Sequence, residues 1–147
     1  LEGDGFRAAI LRPPMVYGKG CRGNYQTLAI WARRLPLFPN IEGARSVIYV
    51  EHLAELMRLI IEDGAAGVFC PQNAECASAT ILLREIARVH ARRIAFTRAF
   101  NPLIRALGAQ PLLRRAFGGL EYDRALSDYP RDYRVCGFSE SIIRTEE

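Results

Sequence analysis

The stretch Ile10-Leu11-Arg12-Pro13-Pro14-Met15-Val16-Tyr17-Gly18-Lys19-Gly20 decides the fold. Its first residues close an apolar run, Phe6–Leu11, bounded by Gly3 and Gly5 on one side and by the proline pair on the other. A short run that is apolar at consecutive positions reads as a buried parallel strand covered on both faces. Pro13 and Pro14 carry no amide hydrogen, so ladder pairing is expected to end there. Val16–Gly23 then contains Gly18, Gly20 and Gly23 and reads as a loop. Its backbone is free to come close to a ligand or to its own turn.

Outward from this stretch, strands and helices alternate. Asn24 is the expected N-cap of a helix over Tyr25–Arg34, with Leu28, Trp31, Ala32 and Leu35 on one face and Pro36 as its stop. Leu37-Phe38-Pro39 and Asn40–Gly43 read as an extended, turn-containing connection. Arg45–Val50 is β-branched and aromatic, hence a strand. Glu51–Asp63 is the clearest helix, with Leu53, Leu56, Met57, Ile60 and Ile61 recurring at helical spacing and Gly64 as a left-handed cap. Gly67–Cys70 is a short strand closed by Pro71. Ser78 or Thr80 caps a helix that runs to His90, and Arg93–Thr97 is a strand. Pro102–Leu107 and Pro111–Phe117 read as two short helices with proline near the first turn. Gly118–Tyr122 reads as a short strand, Tyr129–Arg134 is irregular, and Ser139 caps a last helix ending near Glu146. Interleaving of this kind defines the α/β class.

Composition bounds the function. With 147 residues, 50% hydrophobic and 24% charged, the chain can bury a real core, which excludes wholesale disorder. No apolar stretch approaches the roughly 18–20 residues of a membrane helix. The net charge is +4, and Lys19 is the only lysine among 20 basic residues. The arginine doublets Arg33–Arg34, Arg92–Arg93 and Arg114–Arg115 are scattered along the chain, without a helix-turn-helix, RNP-type or zinc-finger pattern. The expectation is therefore solvated helix faces and no nucleic-acid partner, the sharper alternative being that one or two arginines grip phosphate. Cys21, Cys70, Cys76 and Cys136 lack CxxC spacing, and His52 and His90 are isolated, so no metal site is expected. Reduced thiols point to a cytoplasmic protein. The chain opens Leu-Glu-Gly-Asp-Gly, with neither a Met nor a basic and apolar leader, and reads as a piece of something longer.

The segment Ile10–Gly20 resembles the "LRPxxVYGPG" segment of extended short-chain dehydrogenases/reductases, the NAD-dependent nucleotide-sugar epimerases and dehydratases related to UDP-glucose 4-epimerase. Arg45-Ser46-Val47-Ile48-Tyr49-Val50-Glu51-His52-Leu53-Ala54 is similar to the family's "RxxxxVxDLA" strand-to-helix segment. Asn24-Tyr25-Gln26, Gly67–Asn73, and Tyr122-Asp123 followed by Phe138–Ile142 are similar to further family segments, in the same order. The resemblance implies the C-terminal part of a Rossmann-like NAD-dependent epimerase, comprising the last parallel strands and a small substrate-binding α/β subdomain. Residues 1–147 are then the substrate-binding region, and the dinucleotide-binding half is not among them.

Two family motifs have no counterpart here. There is no G-x-x-G-x-x-G after a first strand to cradle pyrophosphate. There is also no Y-x-x-x-K, since the position four before Lys19 is Met15. No catalytic residue is assigned. What the resemblance does imply is binding. Pro13, Pro14 and Met15 match the loop that runs past the nicotinamide ring of NAD. Asn24 and Arg45 match residues that contact the diphosphate of a nucleotide-sugar substrate. A plain N-cap is compatible with the first role, and a surface arginine is the alternative to the second. Leu37 and Phe38 fall where the family lines the nucleobase slot, with core packing as the alternative. Arg114 or Arg115 stands near a second phosphate arginine. His52 replaces the expected Asp and reads as a local cap variation; Tyr17 and Tyr122 read as core.

Two functions follow as expectations. One is a substrate-binding fragment of an NAD-dependent epimerase or dehydratase, inactive alone. The other is a stand-alone nucleotide-sugar-binding or subunit-docking module. In either case an apolar strand without its sheet neighbours favours pairing with the missing half or self-association.

Overall fold

The computed structural model describes residues 7–40, 43, 45–99 and 122–147. The expected helices Pro102–Leu107 and Pro111–Phe117, Arg114 and Arg115, and most of the Gly118–Tyr122 strand lie outside these residues.

The described strands are β1 (Ala9–Leu11), β2 (Met15–Tyr17), β3 (Leu37–Pro39), β4 (Val47–Tyr49), β5 (Gly67–Phe69) and β6 (Ala95–Thr97). They are separated by helices α1 (Asn24–Arg34), α2 (Val50–Asp63) and α3 (Ala79–Val89), and α4 (Phe138–Glu146) closes the chain. The strands form three parallel pairs, β1 with β5, β2 with β4, and β3 with β6. Parallel neighbours need crossovers, and the connection through α1 and β3 supplies the one between β2 and β4.

Pro13 acts as expected. The Arg12 amide makes the last bond of the first pair, to the Phe69 carbonyl at 2.8 Å. Beyond it the chain leaves β5 and enters β2, which pairs with β4 instead. Here the sequence reading needs correction: Met15–Tyr17 is a strand, not the loop that Met15 was expected to join. Three residues between a proline pair and Gly18 are too few to show a strand period. Likewise Leu37–Pro39 is a strand, and pairing with β6 alone among the described residues makes it an edge that tolerates Pro39.

Alternation along β2 and β4 explains the layering. Tyr17, Val47 and Tyr49 enter a core built with Leu28 and Ala32 of α1, Leu82, Leu83 and Ile86 of α3, and Ile142 of α4. Ile48 and Val16 point the other way, into a second cluster with Leu56, Leu59 and Ile60 of α2 and Tyr133. β2 and β4 are thus covered on both faces, as a parallel sheet requires. β1 and β5 are not. Ala9, Leu11 and Phe69 face the second cluster. Ile10 and Val68, opposite one another in the register, are 49% and 50% exposed. The strand expected to be buried on both faces is buried on one.

Helix ends follow local chemistry. Ser78 Oγ accepts from the Ile81 amide at 3.1 Å, and Gly64 caps α2 at φ 57°. Two caps differ from expectation. Gly23, not Asn24, stands at the N-cap of α1, and Gly137, not Ser139, at that of α4. Ser139 sits inside α4 and donates to Glu85.

Candidate functional site

The C-terminal ends of β2 and β4 converge on three packed tyrosines. Tyr17 lies 5.4 Å from Tyr25 in near-parallel stacking and 5.6 Å from Tyr49. Its hydroxyl lies 2.5 Å from Ser141 Oγ and accepts from Asn73 Nδ2 at 2.8 Å. Asn73 uses its other side-chain atom too, since Oδ1 accepts the Tyr49 amide at 3.0 Å. One buried amide therefore fastens β4 to the ring carried by β2. Burial pushes the Tyr17 phenol up to about 12, so it stays protonated at neutral pH. A residue so enclosed is core, as the sequence reading had it. Gly18 follows at a close approach, where an added Cβ would overlap Val50 Cγ1.

A second polar knot holds the strand entering β4. Ser46 Oγ donates to Gln72 Oε1 at 2.6 Å and accepts from the Tyr122 amide at 2.9 Å. The Tyr133 hydroxyl accepts from the Gln72 amide at 3.2 Å and lies 3.0 Å from the Gln72 carbonyl. The Arg134 guanidinium stands 4.7 Å over the Tyr133 ring. Sequence reasoning quoted Ser46, Gln72 and Asn73 within family-like segments without giving them a role, and it missed Tyr133. Nothing local distinguishes them from surface polar residues, and their partners are distant in the chain.

His52 is buried, edge-on to Tyr49 at 5.3 Å, and its Nδ1 accepts the Val135 amide at 3.2 Å. Burial first, then the Arg134 charge, lowers its pKa and keeps the ring neutral. It is a structural histidine that ties α2 to the segment after Tyr133.

The expected binding residues occupy three places. Pro13, Pro14 and Met15 form the corner between β1 and β2, and Met15 packs on the first core from its half-buried position. Arg45 lies two residues before Val47, which pairs with Met15, so it shares that end of the β2–β4 pair. It is half-buried, and desolvation lowers its pKa. Asn24 opens α1 from an exposed position, beyond the glycine loop that follows the opposite end of β2. Phe38 is buried between Trp31, 5.8 Å away, and Phe96, 6.5 Å away. The packing alternative is what the structure shows for its ring, while its neighbour Leu37 is 42% exposed.

The glycine loop borders a cleft of about 250 Å³ between α1 and α4, lined by Gly18, Cys21, Gln26, Arg33 and Glu146 among others. Gln26 closes the loop by donating to the Cys21 carbonyl at 2.9 Å. Glu146, nearly buried, accepts from the Tyr25 hydroxyl at 2.9 Å and lies 2.6 Å from His90 Nε2, with Arg33 at 3.8 Å. Nothing in the sequence marked Glu146, since it is one of two terminal acids. Among the described residues, no three His, Cys, Asp or Glu side chains converge on a metal position. No described helix is long and apolar enough to cross a membrane.

No family model matches the sequence, and no curated protein sequence matches it. Solved structures do match. The human epimerase family protein SDR39U1 with NADPH superposes with a TM-score of 0.72 at 14% identity, over 99% of this chain and 50% of that one. The fold of this chain is like that of about half of this epimerase-family structure. A dTDP-4-dehydrorhamnose reductase from Clostridium acetobutylicum matches with a TM-score of 0.68 at 13% identity, covering 93% and 47%. The UDP-glucose 4-epimerase of Thermus thermophilus in complex with NAD matches with a TM-score of 0.63 at 21% identity, covering 97% and 46%. The chain spans about half the length of these enzymes. An α/β fold with parallel strands, shared with about half of each of these structures, is thus shown by superposition, at identities where sequence alone carries little.

Proposed function

We propose that this chain is the substrate-binding, C-terminal region of an NAD-dependent nucleotide-sugar epimerase or dehydratase, and that it is inactive alone. The carrying observation is the match of 99% of the chain to half of an NADPH-bound epimerase-family structure, joined to the order of its sequence segments. Nucleotide-sugar chemistry is supported by a further fold relative, a UDP-N-acetylglucosamine 4-epimerase solved with UDP-N-acetylmuramic acid.

Within this reading, Arg45 supplies a bidentate cation for one diphosphate group and Asn24 an amide for the other. The half-buried place of Arg45 strengthens its hold on an anion by lowering the local dielectric. The exposed Leu37 edge, backed by Phe38, offers apolar surface to the nucleobase. Pro13, Pro14 and Met15 fit an apolar wall beside a nicotinamide ring. The prolines have no amide hydrogens, so this corner shapes a ring face and leaves the pyrophosphate to other backbone. NAD, when bound, accepts and returns the hydride. The present residues orient the sugar through its remote nucleotide, which is how binding energy is turned into rate. We place the protein in the cytoplasm, where its four free thiols stay reduced.

The test is calorimetric titration of UDP-sugars into the chain and into Arg45→Gln, alongside a turnover assay with NAD. We expect binding that weakens about 10- to 100-fold in the variant, the range set by a charged hydrogen bond. We expect no turnover. Measurable epimerisation would overturn the claim that the chain is inactive alone.

A further inference from the structure

The sequence shows Arg84 and Arg88 on a helix and the doublet Arg92–Arg93 after it. The fold gathers them. Arg84 and Arg88 stand one turn apart on α3, and Arg92 and Arg93 lie in the turn that leads into β6. All four line one cleft of about 430 Å³, whose floor includes Ile94 and Phe96. That volume falls within the range of small-molecule pockets.

The backbone helps aim these side chains. Ala91 adopts φ 51°, the left-handed region, and the Arg92 amide bonds the Ala87 carbonyl at 2.8 Å. This closes α3 tightly and turns the next residues toward its last turn. Among the described residues, opposing charge near the cleft is sparse. Glu85 bonds Arg88 at 2.9 Å and is also bonded by Ser139. The C-terminal end of α3 adds only about half a negative charge. Arg84 spends its guanidinium on a ring, standing 5.3 Å over Phe96. The cleft thus presents a cationic rim over an apolar and aromatic floor.

We propose that this cleft binds a small phosphate ester carrying a planar ring, in chemical class a nucleoside phosphate. Guanidinium forks match phosphate oxygens two at a time. Arg84 and Phe96 already form a cation–π pair against which a planar ring stacks. The site stands apart from the diphosphate contacts proposed for Asn24 and Arg45, and does not depend on them. It does touch the same packing, because Phe96 meets Phe38 across the β3–β6 pair.

The experiment is calorimetry of the full chain at low salt with ADP, adenosine and inorganic phosphate as probes. The variants are Arg92→Gln/Arg93→Gln, at two exposed positions, and Arg45→Gln, each checked for fold by circular dichroism. We expect ADP to bind, adenosine and phosphate each to bind at least about tenfold more weakly, and the double variant to lose at least about tenfold in ADP affinity. ADP binding that remains in Arg45→Gln should be lost when Arg92→Gln/Arg93→Gln is added. No ADP binding at millimolar concentration overturns the proposal. So does ADP binding that ignores Arg92 and Arg93, or that is lost only with Arg45. Phosphate binding as tightly as ADP removes the ring from the proposal. An oligothymidine binding more than about a hundredfold tighter than ADP would replace it with a single-strand site.

Discussion

Replacing Asn73 with alanine tests the staple between β2 and β4. The side chain accepts the buried Tyr49 amide at 3.0 Å and donates to the Tyr17 hydroxyl at 2.8 Å. Asn73 itself is 4% exposed, so water cannot readily replace it. Leaving the Tyr49 amide unpaired costs about 1–3 kcal/mol. Tyr17 keeps Ser141, so its lost bond adds only about 0.5–1.5 kcal/mol. The expected total is about 1.5–4.5 kcal/mol, or a fall in Tm of about 5–15 °C for a chain of this length. Urea unfolding followed by circular dichroism measures it, with Tyr17→Phe and the double variant completing a cycle. The two substitutions should couple by about 0.5–1.5 kcal/mol, because they remove one shared bond. A loss below about 0.5 kcal/mol, the level of ordinary surface changes, would refute the reasoning.

Further expectations concern neighbouring features. Gly18→Ala should destabilise by about 1–3 kcal/mol through overlap with Val50, read as a lower urea midpoint; an unchanged midpoint would mean that the β2 exit is loosely packed. Tyr17 and Tyr49 are both raised to about 12, chiefly by burial. The folded state therefore holds these protons more tightly than the unfolded chain, whose phenols titrate near pH 10. Their contribution is complete below about pH 10 and lost as pH climbs toward 12, so urea midpoints should fall across that window, and less steeply in Tyr17→Phe. Ile10→Thr with Val68→Thr should reduce concentration-dependent association seen by sedimentation, because these residues form the open face of β1–β5; a wild-type chain that stays monomeric at all concentrations counts against this.

Much of the fold was legible where local chemistry and periodicity agree. α2 was expected over Glu51–Asp63 and begins one residue earlier, because its apolar face and Gly64 both act locally. Ser78 caps α3 for the same reason. β2 and β3 were not read as strands. Each has three residues flanked by proline or glycine, and each exists because a distant partner, β4 or β6, supplies its ladder. Ile10 defeated the rule that an apolar run is buried on both faces, since the described residues cover only one. The candidate site was legible as a set of segments but not as a geometry. Arg45 and Met15 meet at one end through strand register, Asn24 opens α1 beyond the glycine loop, and Phe38 turns its ring into the core. Gln72, Tyr133 and Glu146 acquire their roles from partners distant in the chain, as in the bonds of Gln72 to Tyr133 and of Glu146 to Tyr25 and His90.

The central claim is that Arg45 belongs to a nucleotide-sugar site. Titration of UDP-glucose into the chain, into Arg45→Gln and into Arg92→Gln/Arg93→Gln tests it most directly. A UDP-glucose binding event should weaken about tenfold or more in Arg45→Gln and should persist in Arg92→Gln/Arg93→Gln. Absence of binding by any UDP-sugar at millimolar concentration, or binding indifferent to Arg45, would contradict it.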